Sequence, residues 1–225
     1  NKMFQYPCLI VNFKNYASTI GEAGLKLAKL IEKKSKQHGI PVVLAVNPLG
    51  LERIAKSISL PVISQHVDYH SIGAHTGSIL PESIGFACGV GSLVNHSEMQ
   101  VVKEDIHLYI NACKRAFIDS LICVETLEHA LEVQACNPSA ICYEPSELIG
   151  GDVSVAHGKE DLVRQIGEQI SLPLFIGAGV KTREDVLKSL SLGAEGVLVA
   201  SAVCCALDPG EALDELLLGF KEFNN

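Results

Sequence analysis

The stretch Cys8-Leu-Ile-Val-Asn-Phe-Lys-Asn-Tyr16 decides between two architectures for this chain. It begins with an apolar run that does not alternate with polar residues, which is typical of a strand buried on both faces of a parallel sheet. The run leads into polar residues without a glycine. An open dinucleotide-binding sheet carries G-x-G-x-x-G after an early strand, and that turn is missing here. The stretch therefore favours a closed barrel over an open doubly wound sheet.

Seven further apolar runs follow, and amphipathic segments with helical spacing separate them. The eight predicted strands are 8–12, 42–46, 61–65, 91–95, 120–124, 140–143, 174–177 and 196–200. Thr182 and Asp208 are predicted N-caps, and 101–117 is the longest helical candidate. Eight strands alternating with about eight helices predict an α/β fold, the (β/α)8 or TIM barrel. Since no linker or composition break interrupts the pattern, we expect one domain over residues 1–225.

Composition and charge exclude several classes of protein. Hydrophobic residues make up 48% of the 225 residues and charged residues 20%, which excludes a disordered chain. The net charge is −8, and no basic run is longer than Lys33–Lys34, so nucleic acid and acidic membranes are poor partners. No apolar run approaches the roughly 20 residues of a membrane span, and no signal-peptide core opens the chain. We therefore expect a cytoplasmic protein.

The eight cysteines contain no C-x-x-C pair, which is the spacing of zinc sites and thioredoxin-like motifs. Cys8, Cys123 and Cys142 lie inside apolar stretches, where a reduced thiol behaves as a small hydrophobic group. We interpret them as free thiols in a reducing cytoplasm. Any redox role of the vicinal Cys204-Cys205 stays open.

Polar residues stand where several of the apolar runs end, which is the active-site face of a barrel. Asn12 and Lys14 share one face of the first strand, so the lysine brings a cation to the barrel mouth. His96 precedes a predicted helix start, where the helix dipole disfavours the positively charged imidazolium. We therefore expect a neutral imidazole that donates a hydrogen bond. Glu144 ends the sixth strand before Pro145, and partial desolvation suits it to act as a general base. Each of these could also be structural: a surface lysine, a capping histidine, a salt-bridge glutamate.

A glycine-rich pattern in the last third of the chain indicates an anion. Ile176-Gly-Ala-Gly-Val180 begins at the end of the seventh predicted strand, and Gly193–Ser201 contains the eighth. Glycines let backbone N–H groups converge on an anion, and many barrel enzymes hold a phosphate in these two loops. The alternative is that the glycines serve only tight turns.

His66-Val-Asp68-Tyr-His70 offers a metal-binding alternative, because alternate positions of a strand share a face. A metal-dependent barrel hydrolase needs ligands from other strands as well. Only His96 and Glu144 suggest themselves, so we predict no metal.

Taken in order, the motifs resemble the triosephosphate isomerase family over about residues 6–220. They are Asn12-Phe-Lys14, Asn95-His-Ser-Glu98, Tyr143-Glu-Pro145 with Ile149-Gly150, and the two glycine-rich segments. The short chain, the lid sequence and Val199-Ala-Ser201 are similar to the archaeal-type branch of that family. Gly73-Ala-His-Thr-Gly77 resembles the loop that reaches into a neighbouring subunit.

The resemblance implies a cofactor-independent isomerase of triose phosphates that acts in glycolysis and gluconeogenesis. It makes Glu144 the base, His96 the neutral electrophile and Lys14 the cation that offsets the negative charge of the enediolate. This family is the standard case of a glutamate base paired with a neutral histidine. Asn12 aids Lys14, and Glu98 supports the site from behind. The implied substrate-binding residues are Asn12, Phe13, Lys14, Ile149, Gly150, Gly179, Ala200 and Ser201. The implied assembly is a homodimer or homotetramer formed through residues 73–77.

The sequence also departs from the family pattern. Glu147 replaces a lid tryptophan, and Ala200-Ser201 replaces a glycine pair, as in the archaeal-type branch. The segment Gly151–His157 differs from the expected continuation of the lid, which runs from Pro145 to about Asp152. Two alternatives stay open: another phosphate-binding barrel enzyme, and a non-catalytic paralogue that binds a sugar phosphate or assembles with itself.

Overall fold

Eight parallel strands close into a barrel in the computed structural model, which describes residues 4–145 and 154–224. The strands are Cys8–Asn12 (β1), Val42–Val46 (β2), Val62–Ser64 (β3), Gly91–Val94 (β4), Asp119–Val124 (β5), Ala140–Tyr143 (β6), Leu174–Ile176 (β7) and Gly196–Val199 (β8). Each strand pairs with its neighbours in chain order, and β8 pairs with β1. The predicted (β/α)8 barrel is confirmed, because every predicted run contains an observed strand or nearly coincides with one.

Helices follow every strand. In the described part of the chain they are Gly21–His38 (α1), Pro48–Ala55 (α2), Pro81–Phe86 (α3), Ile106–Arg115 (α4), Leu127–Ala135 (α5), Val155–Gly158 (α6), Glu160–Gln169 (α7), Arg183–Ser191 (α8), Ser201–Cys204 (α9) and Pro209–Phe223 (α10). A 3-10 turn at Lys103–Asp105 precedes α4. Among these helices none is long and apolar enough to cross a membrane.

The prediction of the longest helix was wrong. Residues 101–117 form a 3-10 turn and the ten-residue α4, whereas α1 has 18 residues. Val102 is extended, and Phe117 takes a left-handed φ of 57°, so the helix cannot fill the predicted range. The longer α1 ends at Gly39, whose φ of 69° and N–H bond to the Ser35 carbonyl form a left-handed cap.

Both predicted helix caps are confirmed. The Thr182 side chain accepts the Asp185 N–H, and the Asp185 carboxylate accepts the Thr182 N–H, which completes a capping box at α8. The Asp208 side chain accepts the Glu211 N–H at 3.0 Å, and Pro209 is the first residue of α10.

Alternate residues of each strand divide between two apolar layers. Cys8 and Ile10 belong to the cluster inside the barrel, while Leu9 and Val11 pack in the outer layer against the helices. Since the side-chain period is two, Asn12 continues the inward row of β1 at its carboxyl end. Glu144 likewise continues the inward row of Ala140 and Cys142, and the fold thus directs both polar side chains into the barrel mouth.

Candidate active site

The end of β1 holds Lys14 in an unusual backbone conformation. Lys14 has a φ of 46°, a left-handed value that costs a non-glycine residue of the order of 1–3 kcal/mol. Its N–H donates to the Asn12 side-chain oxygen at 3.0 Å, and its carbonyl accepts from Gln65 Nε2 at 2.8 Å. These bonds offset the strain and fix where the lysine side chain leaves the strand.

Glu98 joins Lys14 to the chain segment that follows β4. Lys14 Nζ lies 2.8 Å from Glu98 Oε1, although about half of the glutamate side chain remains exposed. An exposed pair of this kind contributes little to stability. Its effect is to direct the ammonium group toward the residues after β4, among which His96 lies.

The segment after His96 is a turn, and the helix start expected there does not form. The Met99 N–H bonds to the His96 carbonyl at 2.8 Å, and helical structure begins only at Lys103. The Glu98 N–H instead donates to His96 Nδ1 at 3.1 Å. A neutral imidazole that accepts at Nδ1 carries its proton on Nε2. One backbone N–H, and not a helix dipole, therefore selects the tautomer.

His96 Nε2 lies 3.3 Å from Glu144 Oε2, and both side chains are almost fully buried. Burial lowers the pKa of His96, but the hydrogen bond and charge of Glu144, with the charge of Glu98, raise it by more. The pKa of His96 therefore lies above its ordinary value. A proton donor and a carboxylate thus face each other at the bottom of the barrel mouth.

Glu144 rests directly on Gly177. A Cβ atom at Gly177 would lie 2.5 Å from Glu144 Cγ and 2.7 Å from its Cδ. The Gly177 N–H bonds to the Tyr143 carbonyl at 3.0 Å, which ties the glycine to the strand that carries the glutamate. The absence of a side chain at residue 177 is what allows Glu144 to reach its place.

One cavity brings the strand ends together with the glycine-rich loops. Lys14, His96 and Glu144 line it, and so do the predicted phosphate-binding residues Gly179, Ala200 and Ser201. Ala178 and Gly179 both have a φ of 70°, so two successive residues of that loop are left-handed. The cavity therefore combines a cation, a proton donor and a carboxylate with loop backbone suited to an anion.

The other predicted site residues lie in three places. Asn12 and Glu98 line a neighbouring hollow that shares Lys14 and His96 with the cavity. The Phe13 ring is fully buried in the outer apolar layer, which places its side chain away from the cavity. Ile149 and Gly150, with most of the lid, lie outside the described residues, and their roles stay predictions.

Sequence reasoning missed Tyr16 and Lys181, which also line the cavity. Lys181 gives the mouth a second cation besides Lys14. It directly follows the glycine-rich loop, a signal that could have been used. Tyr16 stands two residues beyond Lys14 after the strand has ended, so strand periodicity could not place it.

The residues of the metal alternative do not converge. Asp68 bonds to His66 Nε2 at 3.1 Å and to the Ile79 N–H at 2.7 Å, whereas the His70 ring stacks on His75 with centroids 4.3 Å apart. Within residues 4–145 and 154–224, no three histidine, cysteine or acidic side chains group as metal ligands.

Comparison with known proteins agrees with this geometry. Residues 7–213 match the family model described as triosephosphate isomerase. The chain is 35% identical over 216 residues to the triosephosphate isomerase of Sulfurisphaera tokodaii, with 94% of each protein covered. It is 36% identical over 216 residues to that of Methanothermus fervidus, with 94% of this chain and 97% of that protein covered. These archaeal relatives confirm the resemblance to the archaeal-type branch.

A solved structure supports the fold independently. The crystal structure of triosephosphate isomerase from Bartonella henselae superposes with a TM-score of 0.70 at 18% sequence identity. The match covers 97% of this chain and 99% of that one.

Proposed function

Because the chain belongs to the triosephosphate isomerase family, we propose that Glu144, His96 and Lys14 carry its reaction. Members of the family interconvert dihydroxyacetone phosphate and D-glyceraldehyde 3-phosphate, a step of glycolysis and gluconeogenesis, and this chain is an isomerase of that kind. It is not another phosphate-binding barrel enzyme. The assignment of individual residues is the proposal, and it applies the family's base and electrophile to the positions that carry its motifs.

Glu144 takes the proton from C1 of dihydroxyacetone phosphate and returns it to C2 of the enediolate. His96 donates from Nε2 to the carbonyl oxygens, for which the Glu98 N–H at Nδ1 provides the correct tautomer. Lys14 Nζ offsets the negative charge that develops on oxygen, since a fixed cation there stabilises the enediolate more than the ketone. The substrate has to separate the His96–Glu144 pair, because Nε2 and the carboxylate then bond to substrate atoms.

The phosphate binds at the opposite side of the same cavity. Gly179, Ala200 and Ser201 supply backbone N–H groups to its oxygens, and Ile149 and Gly150 of the lid contribute when it closes. Closure over the substrate excludes water from the enediolate, and this lid is a standard example of such gating.

The observation that carries the assignment is the 3.3 Å contact of His96 Nε2 with Glu144 Oε2 in a cavity that Lys14 also lines. The test is a coupled isomerase assay of the parent and of Glu144→Gln. We expect rapid turnover in the parent and a loss of at least about 10³-fold in the variant, since its amide cannot accept the proton.

The same preparations need a folding control. Far-ultraviolet circular dichroism of Glu144→Gln should match that of the parent, and the variant should unfold cooperatively. A folded variant that retains turnover would contradict the role of Glu144. A folded parent that binds phosphoglycolate without isomerising triose phosphates would instead support the non-catalytic paralogue.

The chain's assembly is a second proposal. We infer a homodimer or homotetramer in which residues 73–77 contact a neighbouring copy. Two hydrogen bonds close the base of this loop. The Asp68 N–H donates to the Ile79 carbonyl at 2.8 Å, and the Ile79 N–H donates to the Asp68 carboxylate at 2.7 Å. Ile72, directly before these residues, is 71% exposed, and contact with a neighbouring copy would remove this apolar side chain from water.

Two coarser expectations accompany the function. A cytoplasmic location fits an enzyme of glycolysis. We also propose that residues 1–225 form one domain, since the barrel strands and their helices alternate along the chain up to α10.

A further inference from the structure

Two side-chain contacts join the end of β1 and the loop that follows it to the short helix α9. Ser18 Oγ donates to the Cys204 carbonyl at 2.5 Å, and Cys204 Sγ donates to the Asn12 carbonyl at 3.6 Å. The residues are 186 and 192 positions apart in the chain, so only the closure of the barrel brings them together.

Cys204 connects to residues of the proposed active site on two sides. Asn12 holds the Lys14 N–H with its side chain, as described above. At the other end, the Cys204 N–H bonds to the Ala200 carbonyl at 2.9 Å, and Ala200 and Ser201 line the cavity. Cys204 is therefore hydrogen-bonded both to Asn12, which holds Lys14, and to Ala200, one of the proposed phosphate-binding residues.

The Cys204 thiol is suited to donate and poorly suited to react. The thiol is buried, and its pKa is raised to about 12, chiefly by burial and to a lesser extent by the nearby Cys205. The sulfur therefore keeps its proton, which it donates to the Asn12 carbonyl. A thiol with so high a pKa is a poor nucleophile, so its contribution lies in this contact.

We propose that Ser18 and Cys204 are positioning residues that fix the spacing between the phosphate-binding end of α9 and Lys14. The proposal rests on the function proposed above, and we call the two residues the Ser18–Cys204 clamp. A triose phosphate has its phosphate and its reacting oxygens only a few bonds apart. Both ends bind correctly only if α9 and Lys14 keep a matching distance, and small misplacements are costly in rate.

The clamp predicts a specific pattern of loss. Ser18→Ala and Cys204→Ala should each lower kcat/KM for D-glyceraldehyde 3-phosphate by about 3- to 10-fold, the effect of one lost hydrogen bond. Inhibition by inorganic phosphate, which needs only the phosphate end, should stay within about twofold of the parent. Turnover of D-glyceraldehyde, which lacks the phosphate and is followed by NMR, should also stay within about twofold.

Conservative variants and distant controls complete the design. Ser18→Thr and Cys204→Ser keep a hydroxyl donor and should retain most of the activity, and Cys204→Ser also avoids a cavity. Ser191→Ala removes an exposed hydroxyl-to-carbonyl bond within α8, and Cys205→Ala removes the exposed neighbouring thiol. Both controls should match the parent.

The outcomes separate the two proposals. A folded parent without isomerase activity would overturn the proposed function and the clamp together. An active parent with unchanged Ser18→Ala and Cys204→Ala variants would overturn the clamp alone. Equal losses with D-glyceraldehyde, or weaker inhibition by inorganic phosphate, would also overturn it, because the residues would then serve one end of the site only.

Discussion

At the scale of single residues, His96 is controlled by two glutamates in different ways. The backbone N–H of Glu98 bonds to Nδ1, while the carboxylate of Glu144 faces Nε2. The first contact selects a neutral tautomer, and the second attracts a second proton to the ring. Their opposition makes the protonation state of His96 dependent on Glu144.

Glu144→Gln should therefore lower the pKa of His96. In the parent that pKa is raised by Glu144 and Glu98 against the effect of burial, and in the variant burial and the Lys14 charge dominate. Titration of the His96 ring by NMR measures the change. A pKa equal to that of the parent would show that the two side chains do not interact.

The sign of the pH effect on stability follows from the same shift. Because folding raises the pKa of His96, its protonation contributes stability that is complete below the ordinary histidine pKa. That contribution is lost as the pH rises through the folded-state pKa. Since Glu144→Gln removes the largest of the interactions that raise the pKa of His96, the variant should lose most of this dependence.

Gly177 is the residue whose replacement should disturb the base most selectively. Gly177→Ala should fold but lose about 10²-fold or more in kcat, because the new methyl group occupies the place of Glu144 Cγ. Steady-state kinetics measure the loss. Gly85→Ala in α3 is the matched control, since its Cβ would meet no atom closer than 3.8 Å. Comparable rates in the two variants would show that Glu144 avoids the methyl group without cost.

At the scale of elements, the capping box of α8 fixes where that helix begins after the glycine-rich loop. Asp185 accepts the N–H groups of Lys181 and Thr182, each at 2.9 Å, so the cap also holds the residues that follow the cavity. Asp185 Oδ1 in addition lies 3.1 Å from His157 Nδ1 in α6. One carboxylate thus joins two helices to the loop between β7 and α8.

Thr182→Ala should lower the free energy of unfolding by about 1 kcal/mol, the usual cost of a lost N-cap. Urea denaturation followed by circular dichroism measures the change. Thr182→Ser keeps the hydroxyl and should lose much less. An equal loss in both variants would mean that packing of the threonine methyl group, and not the cap, stabilises α8.

At the scale of the whole molecule, the loop between Asp68 and Ile79 is exposed over residues 71–77. The stacked rings of His70 and His75 lie within it, beside the exposed Ile72. This loop carries the proposed contact with a second copy. Leu207, between α9 and α10, is an exposed apolar residue far from this loop in sequence.

Light scattering at micromolar concentration should give at least twice the mass of one chain. Ile72→Asp should shift the protein toward the monomer, because it places a charge in the apolar contact. Leu207→Asp, a charge on an exposed residue far from the loop in sequence, should leave the mass unchanged. A parent that scatters as a monomer would contradict self-association through residues 73–77.

The sequence by itself determined the barrel and the identities of the central residues. Buried strands appear as continuous apolar runs, and the residue at each carboxyl end is readable from the chain. Asn12, Lys14, His96 and Glu144 could therefore be named from local pattern and family motif. The helix over residues 101–117 was misjudged, because apolar spacing does not reveal where Val102 and Phe117 leave helical conformation.

Only the tertiary structure decided how these residues act on one another. The bond from the Glu98 N–H to His96 forms in a turn where a helix was expected. The close packing of Glu144 on Gly177 brings together residues that follow two different strands. The bonds of Cys204 to Asn12 and of Ser18 to Cys204 span nearly the whole chain. Such contacts depend on the closure of β8 onto β1 and on atomic positions that are defined to within a few tenths of an ångström. No local pattern of residue types specifies either.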